Sequence, residues 1–313
     1  MSAVLWTDTV AVDQLQALVP KAIRCLGGAN GPETPTDVAD DLEYLVVRSH
    51  RVDRPLLDQL PRLRVVSAWG VGYDHIDVES VRERGIPVAI NPVFTGAVAE
   101  AAIALVLGLL KRLPELVDAA RTGHPVLERS GVGDRNREAA GRTLGVVGFG
   151  RIGRRISELA AALGMRVAAV DPVLQVGSNE QGVPILELHD LLSRSDVLVL
   201  AAPLTPQTYH LIAGQELAQL PVGAIVVNVG RGGLVDEVAL EAALSSGHLG
   251  GAGLDVWEQE PPAPDHPLLS LPTVIGTSHN LARSCESLEA ILASIAETIE
   301  RTSRGLAPHH VVD

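Results

Sequence analysis

The sequence predicts an α/β protein with parallel sheets flanked by helices, divided into two domains. Short runs rich in β-branched residues alternate with segments of helical periodicity from one end of the chain to the other. The 313 residues are long for one hydrophobic core and sufficient for two. Near the middle, a glycine-rich turn separates the strongest strand-like run from a helical segment, which is the local pattern of a doubly wound sheet.

Strand-like segments recur along the whole chain. In order they are AVLW, AIRCL, YLVV, RVVSAW, PVAI, LGVVGF, RVAAVD, VLVLAA, AIVVNV, GGAGLDV and TVIGT. Helical periodicity separates most of them, as in ISELAAALG and EVALEAALSSG. Because strands joined through helices pair in parallel, this order predicts parallel sheets.

Three longer stretches suggest where the domains meet. A strongly helical stretch, 96–113, follows INPVF and could carry the chain into a second domain. A polar, glycine-rich stretch, 121–142, precedes the strongest strand. The amphipathic segment 285–305 predicts a helix that returns the chain to the first domain, and the tail 306–313 predicts a closing strand or strap. The predicted domains are 1–95 with 281–313, and 96–280.

Charge and composition exclude several classes of partner. The formal net charge of −13 argues against binding of nucleic acid or anionic lipid. With 46% hydrophobic and 20% charged residues the composition is that of a globular protein. A small anionic ligand would therefore need local positive charge in an acidic protein.

Cysteine usage and apolar runs point to the cytoplasm. Cys25 and Cys285 lie far apart without metal-ligand spacing, so we expect reduced thiols and no metal. The N-terminus has no basic region before an apolar one, so we expect no signal peptide. The run Ala97–Leu110 is shorter than the roughly 20 residues that span a bilayer, and it contains Glu100. We expect this run to be a buried helix and the protein to have no membrane partner.

A dinucleotide site is predicted by the segment TLGVVGFGRIGRRISELAAALGMRVAAVDP. Gly148, Gly150 and Gly153 form G-x-G-x-x-G directly between a predicted strand and a predicted helix. The glycines permit a tight turn, backbone approach to a pyrophosphate and close helix–strand packing. The helix N-terminus supplies N–H groups to the phosphates. Asp171 ends the next strand, where a carboxylate accepts hydrogen bonds from ribose hydroxyls and repels a 2′-phosphate, so NAD is favoured over NADP.

Three further side chains follow predicted strands and suit hydride chemistry. Arg231 lies between glycines and could bind a carboxylate with two parallel donors. His279 follows TVIGT and could move a proton. Glu260 could support it, but Glu258 lies in the same segment and spacing does not choose between them. For each residue the alternative is an ordinary surface or packed side chain.

Several ordered motifs resemble one family along essentially the whole chain. GVGYDHIDV, VAEAAIALVLGLLKR, GRTLGVVGFGRIG, NVGRGGLVDE, GLDVWEQEP and TSHN are similar to motifs of the D-isomer-specific 2-hydroxyacid dehydrogenases, which include phosphoglycerate dehydrogenase and glyoxylate/hydroxypyruvate reductase. The resemblance implies a Rossmann-type doubly wound NAD domain inserted into a smaller flavodoxin-like α/β substrate domain. It also implies an NAD-dependent oxidoreductase acting on a small 2-hydroxy or 2-oxo acid, and a homodimer.

The resemblance also assigns roles to residues. The family places its catalytic glutamate directly before the proline, which selects Glu260 over Glu258. Arg231 would bind the substrate, His279 would be the acid/base, Asp255 would hold the nicotinamide carboxamide, and the Val71 and Gly72 amides would bind the substrate carboxylate. The implied cofactor-binding residues are Gly148, Gly150, Arg151, Ile152, Gly153, Asp171, Pro203, Thr208, Val229, Gly230, Arg231, Asp255 and His279. The implied substrate-binding residues are Arg48, Val71, Gly72, Arg231, His279 and Arg283.

The chain departs from the family pattern around His279. Ser278 stands where the family usually has proline, NLARS replaces a run of small residues, and the linker TGHPVLERSGVGD lacks a common tryptophan. One hypothesis is that Arg283, together with Arg48 or Arg51, binds a second anionic group of the substrate. An arginine directed to solvent is the alternative. Two other functions stay open: oxidation of a different substrate such as phosphite, and a non-catalytic NAD-sensing role like that of corepressors with this fold.

Overall fold

The computed structural model describes residues 3–6, 12–19, 22–25, 42–48, 50–123 and 136–312. The chain divides into two compact units, a terminal unit (Met1–Phe94 with Ser284–Asp313) and a central unit (Thr95–Arg283). The predicted borders, after residues 95 and 280, lie beside these. Each unit contains a parallel sheet with helices, so the predicted α/β class is confirmed.

Thirteen strands and ten α-helices are formed by the described residues. The strands are β1 Ala3–Trp6, β2 Ala22–Cys25, β3 Leu42–Val47, β4 Val65–Ala68, β5 Val88–Ala89, β6 Thr143–Val147, β7 Arg166–Val170, β8 Asn179–Glu180, β9 Val183–Pro184, β10 Val197–Leu200, β11 Ile225–Asn228, β12 Gly251–Leu254 and β13 Val274–Gly276. The helices are α1 Val12–Leu18, α2 Arg54–Asp58, α3 Val78–Arg82, α4 Thr95–Leu110, α5 Leu113–Thr122, α6 Arg151–Ala162, α7 Leu188–Leu192, α8 Gly214–Gln219, α9 Glu237–Ser245 and α10 Cys285–Ser303.

The terminal unit is a five-stranded parallel sheet in the order β2-β1-β3-β4-β5, the order of flavodoxin-like folds. One core cluster contains residues of α2 and α3 and the other contains residues of α1 and α10. The two clusters take alternate residues of β3, because successive strand residues face opposite sides of a sheet.

The C-terminal tail closes this sheet. Val311 forms an antiparallel bridge with Ala89, and the Val312 amide donates to the Val88 carbonyl at 2.9 Å. The strap predicted from the sequence is therefore confirmed.

The central unit is a six-stranded parallel sheet in the order β13-β12-β11-β10-β6-β7. The β10 and β11 strands are buried along their whole length, which explains their continuous apolar sequences. After β6 the chain adds β7 on one side of that strand, and it later adds β10 on the other side. Their neighbouring carboxyl ends form a topological switch point, where ligands bind in doubly wound sheets.

Helix α4 accounts for the most apolar run of the chain. It is apolar around most of its circumference and packs against α6, β11 and β12 within the central unit. Such a helix is stabilised by burial, at about 1.5–3 kcal/mol for each fully buried large apolar side chain. None of the helices within the described ranges is long and apolar enough to cross a membrane.

Two elements of the central unit were not predicted. The β8–β9 hairpin turns through Gln181 and Gly182, both with positive φ. Helix α5 begins after Arg112, whose left-handed conformation (φ 51°) separates it from α4. The linker whose composition departs from the family pattern falls mostly on residues 124–135, which lie outside the described part of the chain.

Candidate functional site

The predicted site residues of the central unit follow the carboxyl ends of its strands. Because all six strands are parallel, these ends lie along one edge of the sheet. The residues that follow β6, β7, β10, β11, β12 and β13 are, in that order, Gly148, Asp171, Pro203, Arg231, Asp255 and His279. The fold therefore brings the predicted cofactor residues to the edge that contains the switch point.

The glycine-rich turn has the shape of a phosphate cradle. Gly148 has φ 91°, and a Cβ there would lie 2.8 Å from the Ala202 Cα. A Cβ on Gly153 would lie 2.0 Å from the Gly148 carbonyl oxygen, so the turn and its helix permit no side chain at either position. At Gly150, the N-cap of α6, a Cβ would meet nothing within 4 Å. A bound pyrophosphate would approach the backbone closely at Gly150, and the space there is open. The first turn of α6 contains no acidic residue that would repel the phosphates.

The Asp171 carboxylate binds the backbone of this turn. Its Oδ2 accepts from the Phe149 amide at 2.8 Å and its Oδ1 accepts from the Val173 amide at 3.1 Å. Each carboxylate oxygen has two lone pairs, so both can still accept from ribose hydroxyls. The residues present therefore fit the adenosine and pyrophosphate portions of a dinucleotide.

The loop containing Arg231 is fixed by a buried asparagine. Asn228, only 1% exposed, donates through Nδ2 to the Arg231 carbonyl and accepts through Oδ1 from the Gly230 amide. The guanidinium Nη1 donates to the Gly230 carbonyl at 2.8 Å. The loop also lies against the segment containing the candidate glutamates, because a Cβ on Gly232 would fall 1.8 Å from the Trp257 carbonyl carbon.

Glu260, and not Glu258, contacts His279. The His279 Nδ1 lies 2.8 Å from the Glu260 Oε2, and the other carboxylate oxygen accepts from the Trp257 amide at 3.2 Å. The side chain of Glu258 is directed elsewhere, with its Oε1 2.9 Å from the His210 Nε2. The geometry thus distinguishes two residues that spacing alone left equivalent.

The backbone at His279 is held in an uncommon conformation. Its φ is 55°, in the left-handed region that few non-glycine residues adopt. The Asp255 carbonyl accepts from the His279 amide at 2.7 Å, and the Asp255 Oδ1 accepts from the Asn280 amide and the Thr277 hydroxyl. Strained positions that the surrounding structure maintains are frequent at functional sites.

Opposing effects set the pKa of Glu260. Partial burial by itself would raise the pKa, but the hydrogen bond and positive charge of His279, the Trp257 amide and the charge of Arg231 hold it below its ordinary value of 4.5. The carboxylate is therefore ionised throughout the neutral range and can stabilise a protonated imidazole.

Other predicted residues of this unit have structural partners. The Thr208 hydroxyl donates to the Pro203 carbonyl at 2.8 Å and accepts from the Thr205 amide at 2.7 Å, which shapes the turn after β10. The buried Asp255 carboxylate, predicted to hold a carboxamide, uses Oδ1 to bind the His279 loop. Arg151 is exposed on the first turn of α6 and Ile152 is half-buried.

The predicted substrate residues of the terminal unit lie after β3 and β4. The amides of Val71 and Gly72 have no hydrogen-bond acceptor among the described residues, so both are available to an anion. Arg48 directly follows β3 and is half-buried. Arg51 is exposed and lies 3.8 Å from Asp53.

Two residues that position the site were not predicted from the sequence. Asn228 could have been noticed as a polar residue ending an apolar strand. Trp257 could not, because its indole N–H binds the Thr277 carbonyl, 20 positions away in the chain. In the described part of the chain no three His, Cys, Asp or Glu side chains are placed to hold a metal ion.

Comparison with known proteins identifies the family. Residues 103–280 match the NAD binding domain of the D-isomer specific 2-hydroxyacid dehydrogenases. A glyoxylate reductase of Korarchaeum cryptofilum is 37% identical over 84% of this chain and 80% of its own. The chain therefore belongs to the D-isomer specific 2-hydroxyacid dehydrogenase family, as its motifs predicted.

Further relatives differ in length and function. A D-3-phosphoglycerate dehydrogenase of Methanocaldococcus jannaschii is 38% identical over the whole chain, which spans 60% of that protein's length. The crystal structure of an Aquifex aeolicus D-lactate dehydrogenase with NAD and lactic acid has a TM-score of 0.86 and 29% identity, covering 97% of this chain and 96% of that one. These relatives favour neither phosphite oxidation nor a purely NAD-sensing role.

Proposed function

We propose that the protein is an NAD(H)-dependent dehydrogenase that interconverts a small 2-hydroxy acid and its 2-oxo acid. The observation that carries this proposal is the Glu260–His279 contact of 2.8 Å, beside the Arg231 loop and on the same sheet edge as the phosphate cradle. Membership of the family and the NAD complex of a relative support it.

The acid–base step follows from which imidazole nitrogen is engaged. The Nδ1 faces Glu260, so Nε2 is the nitrogen that can serve the substrate, and the side chain is 46% exposed. Bound NADH supplies the hydride that reaches the carbonyl carbon. The protonated His279 donates its Nε2 proton to the carbonyl oxygen, and ionised Glu260 stabilises the cation before that transfer. In the oxidative direction the neutral imidazole accepts the same proton.

The positive charge of Arg231 binds the substrate carboxylate. Arg231 polarises the carbonyl and pairs with the carboxylate, for which a guanidinium offers two parallel donors. Asn228 anchors the Arg231 loop through two hydrogen bonds. Within the terminal unit, the amides of Val71 and Gly72 are proposed separately as donors to an anion.

The cofactor preference rests on Asp171. A carboxylate there accepts from ribose hydroxyls and repels a 2′-phosphate, which favours NAD over NADP. We expect Asp171→Ser to raise the ratio of kcat/KM for NADPH to that for NADH, with little change in kcat for the better cofactor. A ratio equal to that of the unmodified protein would contradict this assignment.

A second anionic group on the substrate is proposed from the residues around His279. Asn280 Nδ2 donates to the Ser278 Oγ, and Arg283 Nη1 donates to the Asn280 Oδ1, both at 3.1 Å. A cationic side chain is therefore tethered beside the acid–base residue of a protein with a net charge of −13. A phosphate or second carboxylate on the substrate would complement it.

Arg283→Ala tests this point. We expect the variant to lose at least about tenfold in kcat/KM for 3-phosphohydroxypyruvate relative to hydroxypyruvate, as 1.4 kcal/mol from one charged contact would give. Arg194→Ala is the control, since Arg194 is an exposed arginine paired with Asp190. An unchanged preference in Arg283→Ala would remove Arg283 from the substrate site.

A homodimer formed through the central unit is also proposed. Helix α5 packs on α4, yet none of its residues is buried, and Leu113 and Val117 are 51% and 36% exposed. A second copy of the chain would cover this apolar face, since the family generally dimerises through its cofactor domain.

We propose the cytoplasm as the place of action. Cys285 is a free, exposed thiol, which persists in the reducing environment of the cytoplasm. Detection of the protein in a secreted or periplasmic fraction would contradict this.

The proposed activity is tested by NADH oxidation against a panel of 2-oxo acids. Glyoxylate, pyruvate, hydroxypyruvate, 3-phosphohydroxypyruvate and 2-oxo phosphonates cover mono- and dianions of increasing size. We expect turnover of at least one compound and a loss of about 10²–10⁴-fold in His279→Ala. NADH binding without turnover of any member of the panel would overturn the proposed reaction.

A further inference from the structure

Trp257 forms hydrogen bonds to Glu260 and to the segment that carries His279. Its backbone amide donates to the Glu260 Oε1 at 3.2 Å, and its Nε1–H donates to the Thr277 carbonyl oxygen at 2.7 Å. Thr277 lies two residues before His279. One buried residue, 3% exposed, therefore connects the segment containing the glutamate to the segment containing the histidine.

Two glycines allow neighbouring segments to approach Trp257 closely. A Cβ on Gly276 would lie 2.7 Å from the indole Cζ2, and a Cβ on Gly232 would lie 1.8 Å from the Trp257 carbonyl carbon. The backbone of β13 and that of the Arg231 loop thus contact the ring and the main chain of Trp257. Small residues at both positions let three segments meet at one side chain.

Two polar side chains, His266 and Glu237, lie beside the indole. The His266 imidazole packs edge-on against it, with ring centroids 5.2 Å apart at 67°. His266 Nε2 lies 3.1 Å from the Glu237 Oε2, and the Glu237 Oε1 accepts from the Glu258 amide at 2.8 Å. Glu237 is therefore joined both to the residue after Trp257 and to the ring that packs on it.

His266 is hydrogen-bonded through one ring nitrogen. Nδ1 is buried without a hydrogen-bond partner among the described residues, so a proton placed there would leave a buried donor unsatisfied. Nε2 is therefore the nitrogen that donates to Glu237, and this hydrogen bond links the two side chains.

We infer that Trp257 is a positioning residue for the acid–base pair: its indole N–H sets the placement of His279 relative to Glu260, and the Glu237–His266 pair keeps the indole in place. This inference rests on the proposed function, because it assigns Trp257 a task within that reaction. A tryptophan that only fills the core would contribute to stability and leave proton transfer unchanged.

The test substitution is Trp257→Phe. It keeps an aromatic ring and the main-chain amide that binds Glu260, but it removes the donor to Thr277. We expect kcat to fall by about 3- to 100-fold, since a displacement of about 1 Å at a reacting group costs up to roughly 10²-fold. The KM for NADH should change less than twofold. The alkaline limb of the pH profile for 2-oxo acid reduction should move to lower pH, because a misplaced carboxylate stabilises the protonated imidazole less well.

The control is Ser195→Ala, which removes a hydrogen bond of similar burial far from the pair in sequence. Ser195 is buried in the same unit and its hydroxyl donates to the Leu191 carbonyl at 2.7 Å. We expect this variant to lose thermal stability while keeping the pH profile. Equal profiles for the unmodified protein and Trp257→Phe, with only a lower Tm in the variant, would overturn the inference.

If Trp257→Phe does not fold, the variant Glu237→Gln and an NMR titration of His279 test the inference. Glu237→Gln should shift the pH profile in the same direction. Glu241→Gln should not, because the Glu241 carboxylate accepts from Ser245 within the same helix and does not contact His266. Titration of His279 by NMR in protein labelled at histidine reads its protonation midpoint without turnover. If the unmodified protein shows no turnover, the proposed function fails. An unchanged midpoint in Glu237→Gln would separately overturn the role of Trp257.

Discussion

The Glu260 carboxylate must be ionised to stabilise a protonated His279. Its pKa lies below the ordinary value of 4.5, so the carboxylate remains ionised as the pH falls through the neutral range. Because the pKa is lowered on folding, the stabilisation from this group is present above the unfolded-state pKa and is lost as the pH falls through the folded-state pKa. Across the neutral range the negative charge of Glu260 is therefore constant.

Glu260→Gln isolates the charge from the hydrogen bond. Glutamine can still accept from the imidazole but provides no negative charge, so the protonated form of His279 is less stable. We expect the alkaline limb of the pH profile for reduction to move down by about one unit, which corresponds to 1.36 kcal/mol of lost stabilisation. The measurement is kcat/KM against pH with a saturating concentration of NADH.

Glu258→Gln is the matched control for that substitution. Glu258 is in the same segment, but its carboxylate faces His210 and the Glu237 amide. We expect its pH profile to coincide with that of the unmodified protein. A shift in Glu258→Gln together with none in Glu260→Gln would reverse the assignment of the two glutamates.

The roles of some site residues could be predicted from the sequence, and the roles of others could not. The position of Arg231, Glu260 and His279 after strands could be predicted, because the carboxyl ends of parallel strands collect functional groups. The choice of Glu260 over Glu258 needed either the family pattern or the contact itself. The roles of Trp257 and Asn228 depend on atoms brought together by folding, which periodicity does not encode.

At the scale of elements, the three glycines of the cradle have different physical reasons. Gly148 and Gly153 are required by contacts within the protein, at 2.8 Å and 2.0 Å for an added Cβ. Gly150 faces open space and has a φ of −76°, which any residue can adopt. Only Gly150 is therefore required by the ligand and not by the fold.

This difference predicts opposite behaviour for two alanine substitutions. Gly150→Ala should fold with an unchanged Tm and lose at least about tenfold in affinity for NADH, because the methyl group occupies the place of the pyrophosphate. Gly153→Ala should lower the Tm by several degrees, since it forces α6 away from the turn. Calorimetric titration and thermal unfolding of both variants provide the measurements. Normal NADH affinity in Gly150→Ala would mean that the dinucleotide does not cross this turn.

Strands were predicted correctly where their burial requires a continuous apolar run. All eleven predicted strand segments contain strands of the two parallel sheets, because buried parallel strands require continuous apolar runs. The β8–β9 hairpin was missed because its strands, NE and VP, contain no apolar run. Helix α5 was missed because its separation from α4 depends on one left-handed residue, Arg112.

At the scale of the whole molecule, the apolar face of α5 carries the prediction of a dimer. Light scattering should give a mass near twice 32.9 kDa for the unmodified chain. The double substitution of Leu113 and Val117 by Asp should yield monomers, because two charges on a covered apolar face are costly to desolvate. Leu306→Asp, at an equally exposed leucine of the terminal unit, should remain dimeric. A dimer that survives the double substitution would place the interface elsewhere.

The sequence predicts a class of substrate but does not identify one compound. The family motifs predict a small acid as the substrate, but the side chains that distinguish one acid from another are few. Ser278, Asn280 and Arg283 are the residues of this kind that depart from the family pattern here, and their mutual hydrogen bonds became visible only in the folded chain.

The central claim is that one group, His279 paired with Glu260, donates the proton in reduction and accepts it in oxidation. It is tested most directly by measuring kcat/KM against pH in both directions with the acid that the panel identifies. We expect reduction to decline at high pH and oxidation to decline at low pH, with both limbs moved to lower pH in Glu260→Gln. Parallel pH dependence in the two directions, or limbs unaffected by Glu260→Gln, would contradict it.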